Sequence, residues 1–169
     1  VKLISPEASG AFERERYGLY ELEKRLLLAR ADVLRMRAVD VCAVMDAGAA
    51  PAPADVASAA IEAGAGCLAM DLAGLADAAA LSLARSLRAE AASRGVVVLV
   101  AGRADLALLA GADGVLLGPC DVPPPEARRV LGAGAVVGLK VPGPDEARAA
   151  VSQGATFVIM PFANVRAMP

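Results

Sequence analysis

Short apolar runs alternate with alanine-rich and leucine-rich segments along most of the chain. The runs cover residues 39–45, 67–70, 96–100, 113–117, 135–139 and 156–160. Short, continuously apolar runs are typical of parallel strands that are buried on both faces. The segments between them predict helices over residues 54–63, 75–94, 103–110, 123–131 and 144–153. This order predicts an α/β protein with about six βα units around one parallel sheet.

The clearest unit covers residues 96–123, with the sequence VVVLVAGRADLALLAGADGVLLGPCDVP. Gly102 ends its first strand, and the next seven or eight residues predict a short helix with Leu106, Leu109 and Ala110 on one face. Gly111 ends that helix, and a second strand follows. Two parallel strands joined in this way form a right-handed βαβ unit.

A charged and strongly helical segment precedes the first strand, so we divide the chain into a lead-in with a long amphipathic helix (1–38) and a barrel part (39–169). Its apolar face, the candidate interface, consists of Leu19, Leu22, Leu26, Val33 and Met36. A helix packed on the barrel or a neighbouring domain, and a partner-binding or bundle segment, both fit this pattern. Four glutamates in the segment argue against a membrane-surface helix.

Composition excludes several classes of function. The net charge is −2 with the two signs interspersed, so the sequence has no basic cluster of the kind that binds nucleic acid. No apolar stretch is long enough to span a membrane. The chain has no histidine and three cysteines without metal-type spacing, so we predict no metal site and reduced thiols in an intracellular, reducing compartment.

Polar residues at the predicted strand ends are the candidates for a pocket. Asp46, Asp71 and Asp121 could form a carboxylate cluster, or they could be polar residues that cap their own loops. Lys140 could be a Schiff-base or phosphate-binding lysine, or a solvated one. Cys120 lies at the same predicted face, that of the strand ends, and the sequence shows no base that would lower the pKa of its thiol.

The stretch GRADLALLAGADGVLLGPCDVP resembles the pattern N-D-R-x-D-L-A-L-x-x-G-A-D-G-V-H-L-G-Q-x-D-L-P of thiamin phosphate synthases. The resemblance implies a (β/α)8 TIM barrel with its chemistry at the C-terminal ends of the strands. A barrel of eight units takes about 250 residues, so we expect the visible units to form an incomplete barrel within a longer parent chain.

The departures from that pattern fall on the positions to which the resemblance assigns chemistry. Residues 69–73, AMDLA, replace the pyrophosphate-binding Q-x-R-x-K, and residues 101–102, AG, replace an Asn-Asp pair that holds magnesium. Asp121 remains at the second magnesium position, and Lys140 begins the segment that replaces Ser-Thr-His. One carboxylate makes a poor Mg²⁺ site, so no cofactor and no catalytic residue are predicted.

The sequence therefore favours a non-catalytic pseudo-enzyme, a scaffold or regulatory module that contacts another domain or a second copy. The stretch is also similar to the degenerate synthase-like domain of chloroplast fuzzy-onion-like GTPases, which are dynamin-related and remodel thylakoid membranes. That similarity implies a chloroplast location and a downstream GTPase domain. The alternative is a thiamin phosphate synthase or a related enzyme of thiazole metabolism.

Overall fold

Six strands and five helices alternate through the described part of the chain. The computed structural model describes Met36, residues 39–48 and residues 52–160. The strands are β1 (Cys42–Asp46), β2 (Cys67–Asp71), β3 (Val97–Ala101), β4 (Gly114–Leu117), β5 (Val136–Lys140) and β6 (Phe157–Ile159). The helices are α1 (Pro53–Glu62), α2 (Asp77–Ser93), α3 (Ala104–Ala110), α4 (Pro124–Leu131) and α5 (Pro144–Ser152). Every strand and helix predicted within these residues is confirmed, with bounds that differ by at most three residues.

The strands form one parallel sheet in which each strand pairs with its neighbour in sequence, from β1 through to β6. Sequential parallel pairing with a helix in every connection is the topology of a TIM barrel. Among the described residues, β1 and β6 are the two ends of the sheet and do not pair with each other. The prediction of an incomplete TIM-like barrel is thus confirmed.

Alternate side chains of the strands contribute to two different cores. One set, which includes Met45, Met70 and Val100, packs with buried residues of α1, α2 and α3. The other set packs on the opposite face of the sheet, where Cys42 of β1 and Phe157 of β6 contact the same buried cluster. The two end strands can share one cluster because the sheet curls, and this concave face corresponds to a barrel interior.

Two glycines allow the close packing of β4, β5 and β6. A Cβ atom added at Gly114 would overlap the backbone carbonyl of Val136 on the neighbouring strand. One added at Gly138 would overlap the ring of Phe157, which lies across the concave face. Glycine inside a strand often marks such a close approach.

Helix α3 buries two of the three residues predicted for its apolar face, Leu106 and Ala110, but not Leu109. Ala104, Leu106, Ala107 and Ala110 are buried, whereas the side chain of Leu109 is 55% exposed. The alanines let α3 lie close to the sheet, so the larger Leu109 points outward. The expectation that Leu109 shares the buried face is therefore wrong.

The charged amphipathic helix lies outside the described residues except at its end. Of the candidate interface, only Met36 is described, and it packs against the buried cluster on the concave face. Leu19, Leu22, Leu26 and Val33 fall outside the described range, and the division at residue 38 stays a prediction. None of the helices in the described part has both the length and the apolar character that a membrane crossing requires.

Candidate functional site

A cavity of about 390 Å³ opens at the C-terminal ends of the strands. Its wall includes Asp71 at the end of β2, Gly102 after β3, Asp121 after β4 and Lys140 at the end of β5. The C-terminal edge is where enzymes with parallel barrels carry their active sites. The strand order therefore brings four consecutive strand ends to one concave site.

The alternation of side chains along the strands aims the polar ones into this site. Asp71 lies two residues beyond Ala69, and Lys140 lies four residues beyond Val136. Ala69 and Val136 belong to the concave-face cluster, so Asp71 and Lys140 share that face. Asp46 is in register with Asp71 on β1 but does not line the cavity.

Each of the three strand-end aspartates accepts a backbone hydrogen bond within its own loop. Asp46 Oδ1 accepts the N–H of Gly48 at 2.9 Å, and Asp71 Oδ1 accepts the N–H of Ala73 at 3.0 Å. Asp121 Oδ2 accepts the N–H of Gly118 at 2.6 Å. These bonds fix the loops that form the rim, and they leave further lone pairs on Asp71 and Asp121 for a ligand.

Arg103 lines the cavity but is held by two carboxylates. Its Nε and Nη2 donate to both oxygens of Asp105 at 2.9 and 2.7 Å, and its Nη1 donates to Asp77 Oδ1 at 3.1 Å. These bonds raise the pKa of Arg103, the one to Asp105 most, and the same bond lowers the pKa of Asp105 to about 2. Sequence reasoning missed this cluster at the cavity wall, although the Arg-x-Asp spacing at a helix start is its signal.

Lys140 is the second cation at the cavity and has a different environment. Its side chain is half-buried, and it makes no hydrogen bond or ion pair with any residue in the described part of the chain. A lysine ammonium carries three donors on a flexible stem and can bind phosphate as a point charge. Lys140 is therefore the cation that this cavity can offer to a ligand.

The donor set at the cavity does not fit a magnesium ion. Gly102 occupies the position to which the family resemblance assigns one magnesium carboxylate, so Asp121 is the one carboxylate left of that pair. No group of three or more potential metal ligands occurs in the part of the chain that the structure describes. Mg²⁺ needs near-octahedral oxygen coordination, of which one carboxylate supplies little.

None of the three cysteines lines the cavity, although Cys120 directly precedes Asp121. Cys42 and Cys67 face each other across β1 and β2 at the N-terminal end of the sheet, and Cys120 is exposed in the loop after β4. A hydrogen bond between the paired thiols lowers the pKa of Cys42 and, together with burial, raises the pKa of Cys67. The three described thiols are free, and the reducing compartment stays a prediction.

Residues 41–161 match the model of a family described as thiamine monophosphate synthase. The chain is 54% identical over 80 residues to a thiamine-phosphate synthase of Anaeromyxobacter dehalogenans, an alignment that covers 47% of this chain and 36% of that protein. It is 31% identical over 158 residues to a thiamine-phosphate synthase of Gloeobacter violaceus, which covers 94% of this chain and 46% of that protein.

The fold has a similar counterpart among solved structures. A thiamine phosphate pyrophosphorylase from Pyrococcus furiosus superposes with a TM-score of 0.68 and 25% sequence identity, over 75% of this chain and 61% of that one. The chain spans less than half the length of the curated relatives given above. The matched residues include every strand of the sheet and the whole cavity wall.

These similarities correct the interpretation as a non-catalytic scaffold. The relatives are named thiamine-phosphate synthases, and neither their names nor that of the superposed structure mentions a GTPase. Each altered position taken alone suggests lost chemistry, whereas the strand ends together form one cavity. A chloroplast location stays a prediction that none of these findings tests.

Proposed function

Because the chain belongs to the thiamine monophosphate synthase family, we propose that it acts in the formation of thiamine phosphate and binds that product in the cavity. The observation that carries the proposal is the position of Lys140, Asp71 and Asp121 around one cavity inside the family-matched residues. Activity as an enzyme is part of this proposal, since the chain spans only part of its relatives.

The charges at the cavity wall complement the two ends of thiamine phosphate. Its phosphate is an anion that the ammonium of Lys140 can bind, and its thiazolium ring is a cation that Asp71 and Asp121 can stabilise. Arg103 is neutralised by Asp77 and Asp105, so it adds little positive potential. A ligand with one anionic and one cationic end fits this wall better than a multiply charged anion does.

Apolar side chains form the rest of the wall. Leu72, Leu106 and Leu116 are buried and line the same cavity. An apolar wall with a few placed polar groups is typical of sites for small organic ligands, and it excludes water from the charged contacts. The aromatic rings of thiamine phosphate would lie against these leucines while its charged groups contact the rim.

The test is isothermal titration calorimetry with thiamine phosphate and with unphosphorylated thiamine. We expect thiamine phosphate to bind with micromolar affinity, and Lys140→Met to weaken it by about tenfold or more, which is the loss of one charge-assisted hydrogen bond. Lys140→Met should leave the weaker affinity for thiamine unchanged, since thiamine has no phosphate to lose.

Arg129→Met is the matched control. Arg129 is an exposed cation outside the cavity, and among the described residues its one ion pair is with Glu126, three residues earlier on α4. Its loss should leave binding unchanged. Absence of thiamine phosphate binding, or equal losses in both variants, would refute the proposal. A turnover assay on the same protein then shows whether binding leads to synthesis.

A further inference from the structure

The loops after β3 and β4 are joined by Asp121 at the place where the family resemblance puts a pair of magnesium carboxylates. Gly102 donates its N–H to the carbonyl of Leu116 at 3.0 Å, which extends the pairing of β3 with β4. Gly118 donates its N–H to Asp121 Oδ2 at 2.6 Å, and Asp121 donates its own N–H to the carbonyl of Gly118 at 3.3 Å. Asp121 is thus bound at two points to the backbone of its own loop.

The carboxylate of Asp121 also covers Gly102. A Cβ atom added at Gly102 would lie 3.2 Å from both carboxylate oxygens, and this distance is shorter than most Cβ contacts in proteins. Gly102 has a φ of +68°, a left-handed conformation that glycine adopts without strain. Asp121 therefore fills the space from which a second carboxylate at residue 102 would project.

The other acidic groups at the cavity do not replace the missing ligand. Asp71 accepts the N–H of Ala73, and Asp77 is paired with Arg103. A diphosphate normally needs a metal ion or several cations to offset its charge, whereas a phosphate monoester can be bound by fewer donors. Lys140 is the cation at this wall without a protein partner in the described residues.

From this geometry we infer that the cavity binds a phosphate monoester without a divalent cation, and that Asp121 is a positioning residue for the rim loops. Lys140 supplies the positive charge toward the phosphate. The ligand class rests on the proposed function, because it names the kind of phosphate that the same cavity accepts. The part of the inference that Asp121 binds no metal ion does not depend on which organic ligand the cavity takes.

The first experiment uses Mn²⁺ as the probe, because its binding can be followed by electron paramagnetic resonance in place of Mg²⁺. The protein alone should show no saturable site, and Asp121→Asn should leave the signal unchanged. A stoichiometric site that Asp121→Asn removes would overturn the inference. This result is obtained without thiamine phosphate, so it is separate from failure of the proposed function.

The second experiment separates positioning from ligation by thermal unfolding. Asp121→Ala should lower the unfolding midpoint by about 2–4 °C, since the N–H of Gly118 loses its acceptor. Asp121→Asn should restore most of this loss, because its amide oxygen can accept the same N–H. An unchanged midpoint in Asp121→Ala would contradict the positioning role.

The third experiment compares ligands by calorimetry in the presence of magnesium and of EDTA. Thiamine phosphate should bind with the same affinity in both, and inorganic pyrophosphate should not compete for the cavity under either condition. An affinity that EDTA lowers by about tenfold or more would overturn metal independence. Tight, magnesium-dependent competition by pyrophosphate would overturn the monoester assignment, even where thiamine phosphate itself binds.

Discussion

At the scale of single residues, the two buried thiols illustrate how strand register changes chemistry. Cys42 and Cys67 are direct partners across parallel strands, and Cys67 is fully buried while Cys42 is half-buried. The hydrogen bond between them stabilises the thiolate of Cys42 and holds the proton on Cys67. The pKa directions of these two cysteines therefore predict a difference in reactivity, because one thiol is the donor and the other the acceptor.

We predict an order of alkylation by iodoacetamide under native conditions. The exposed Cys120 should react first, Cys42 second, and Cys67 only on unfolding, because burial and the bond to Cys42 raise the pKa of Cys67. Peptide mass spectrometry over a time course measures the three rates. Similar native rates for Cys42 and Cys67 would contradict the prediction, and the denatured chain, in which all three should react alike, is the control.

The Arg103–Asp105 pair predicts a small acid sensitivity. The pKa of Asp105 is lowered to about 2 in the folded state, from 3.8, mainly by the hydrogen bond from Arg103. The folded state therefore binds fewer protons than the unfolded one, so the contribution is complete above about pH 4 and is lost as pH falls toward 2. Both side chains are about half exposed, which keeps the effect small.

Urea unfolding at a series of pH values checks this sign. Asp105→Asn should be slightly less stable than the original chain at neutral pH, and the difference should vanish as pH approaches 2. In an Arg103→Met background the same substitution should have no such pH dependence. A difference that grows on acidification would show that the carboxylate is not stabilised by Arg103.

At the scale of the elements, one arginine joins α4 to two neighbouring loops. Arg128 donates through Nε and Nη2 to the carbonyl of Gly154 at 3.0 and 2.9 Å, and through Nη1 to those of Ala133 and Ala135 at 3.0 and 2.9 Å. Its Nη2 also donates to Thr156 Oγ1 at 3.0 Å, which accepts the N–H of Val137. The entrances to β5 and β6 therefore depend on one guanidinium group.

We predict that Arg128→Met lowers the free energy of unfolding by about 2–3 kcal/mol, since the part-buried hydrogen bonds to the carbonyls of Gly154 and Ala135 lose their charged donor. The neighbouring Arg129 provides the matched control, because its interaction within the described residues is an exposed ion pair with Glu126. Arg129→Met should change stability by less than about 0.5 kcal/mol. Chemical denaturation of both variants makes the comparison, and equal effects would contradict the role of Arg128 in joining the loops.

The elements themselves could be predicted from sequence, and their contacts only in part. Buried strands such as β3 follow from a continuous apolar run, and glycines such as Gly111 mark the helix ends. The position of Leu109 could not be predicted, because both faces of a short, apolar helix have the same pattern. The partners of Arg128 lie up to 28 residues away, so no local rule connects them.

At the scale of the whole molecule, the sequence predicted the architecture better than the function. Six βα units and their order follow from the alternation of apolar runs, and the topology brings their C-terminal ends together. The function was misjudged because Asp71, Gly102 and Asp121 were compared with family positions one at a time. The cavity is formed by the ends of four consecutive strands together, and a residue-by-residue comparison does not contain that information.

The two ends of the sheet differ from its centre in burial, which predicts a gradient of local stability. Four of the five residues of β3 are buried, whereas all three residues of β6 are only half-buried, and α5 buries Ala150 alone. Segments with few buried apolar contacts open at low free-energy cost, and their amides exchange faster.

Hydrogen-exchange mass spectrometry should therefore find the slowest exchange in β3 and fast exchange in β6 and α5. We expect protection factors to differ on the order of 100-fold, which corresponds to about 2.7 kcal/mol of local opening free energy. β4 provides an internal comparison, because it is also a short strand of 4 residues. Unlike β6, it is buried throughout and pairs with a strand on each side. If β6 were protected as strongly as β3 and β4, its stability could not come from the packing of the described residues.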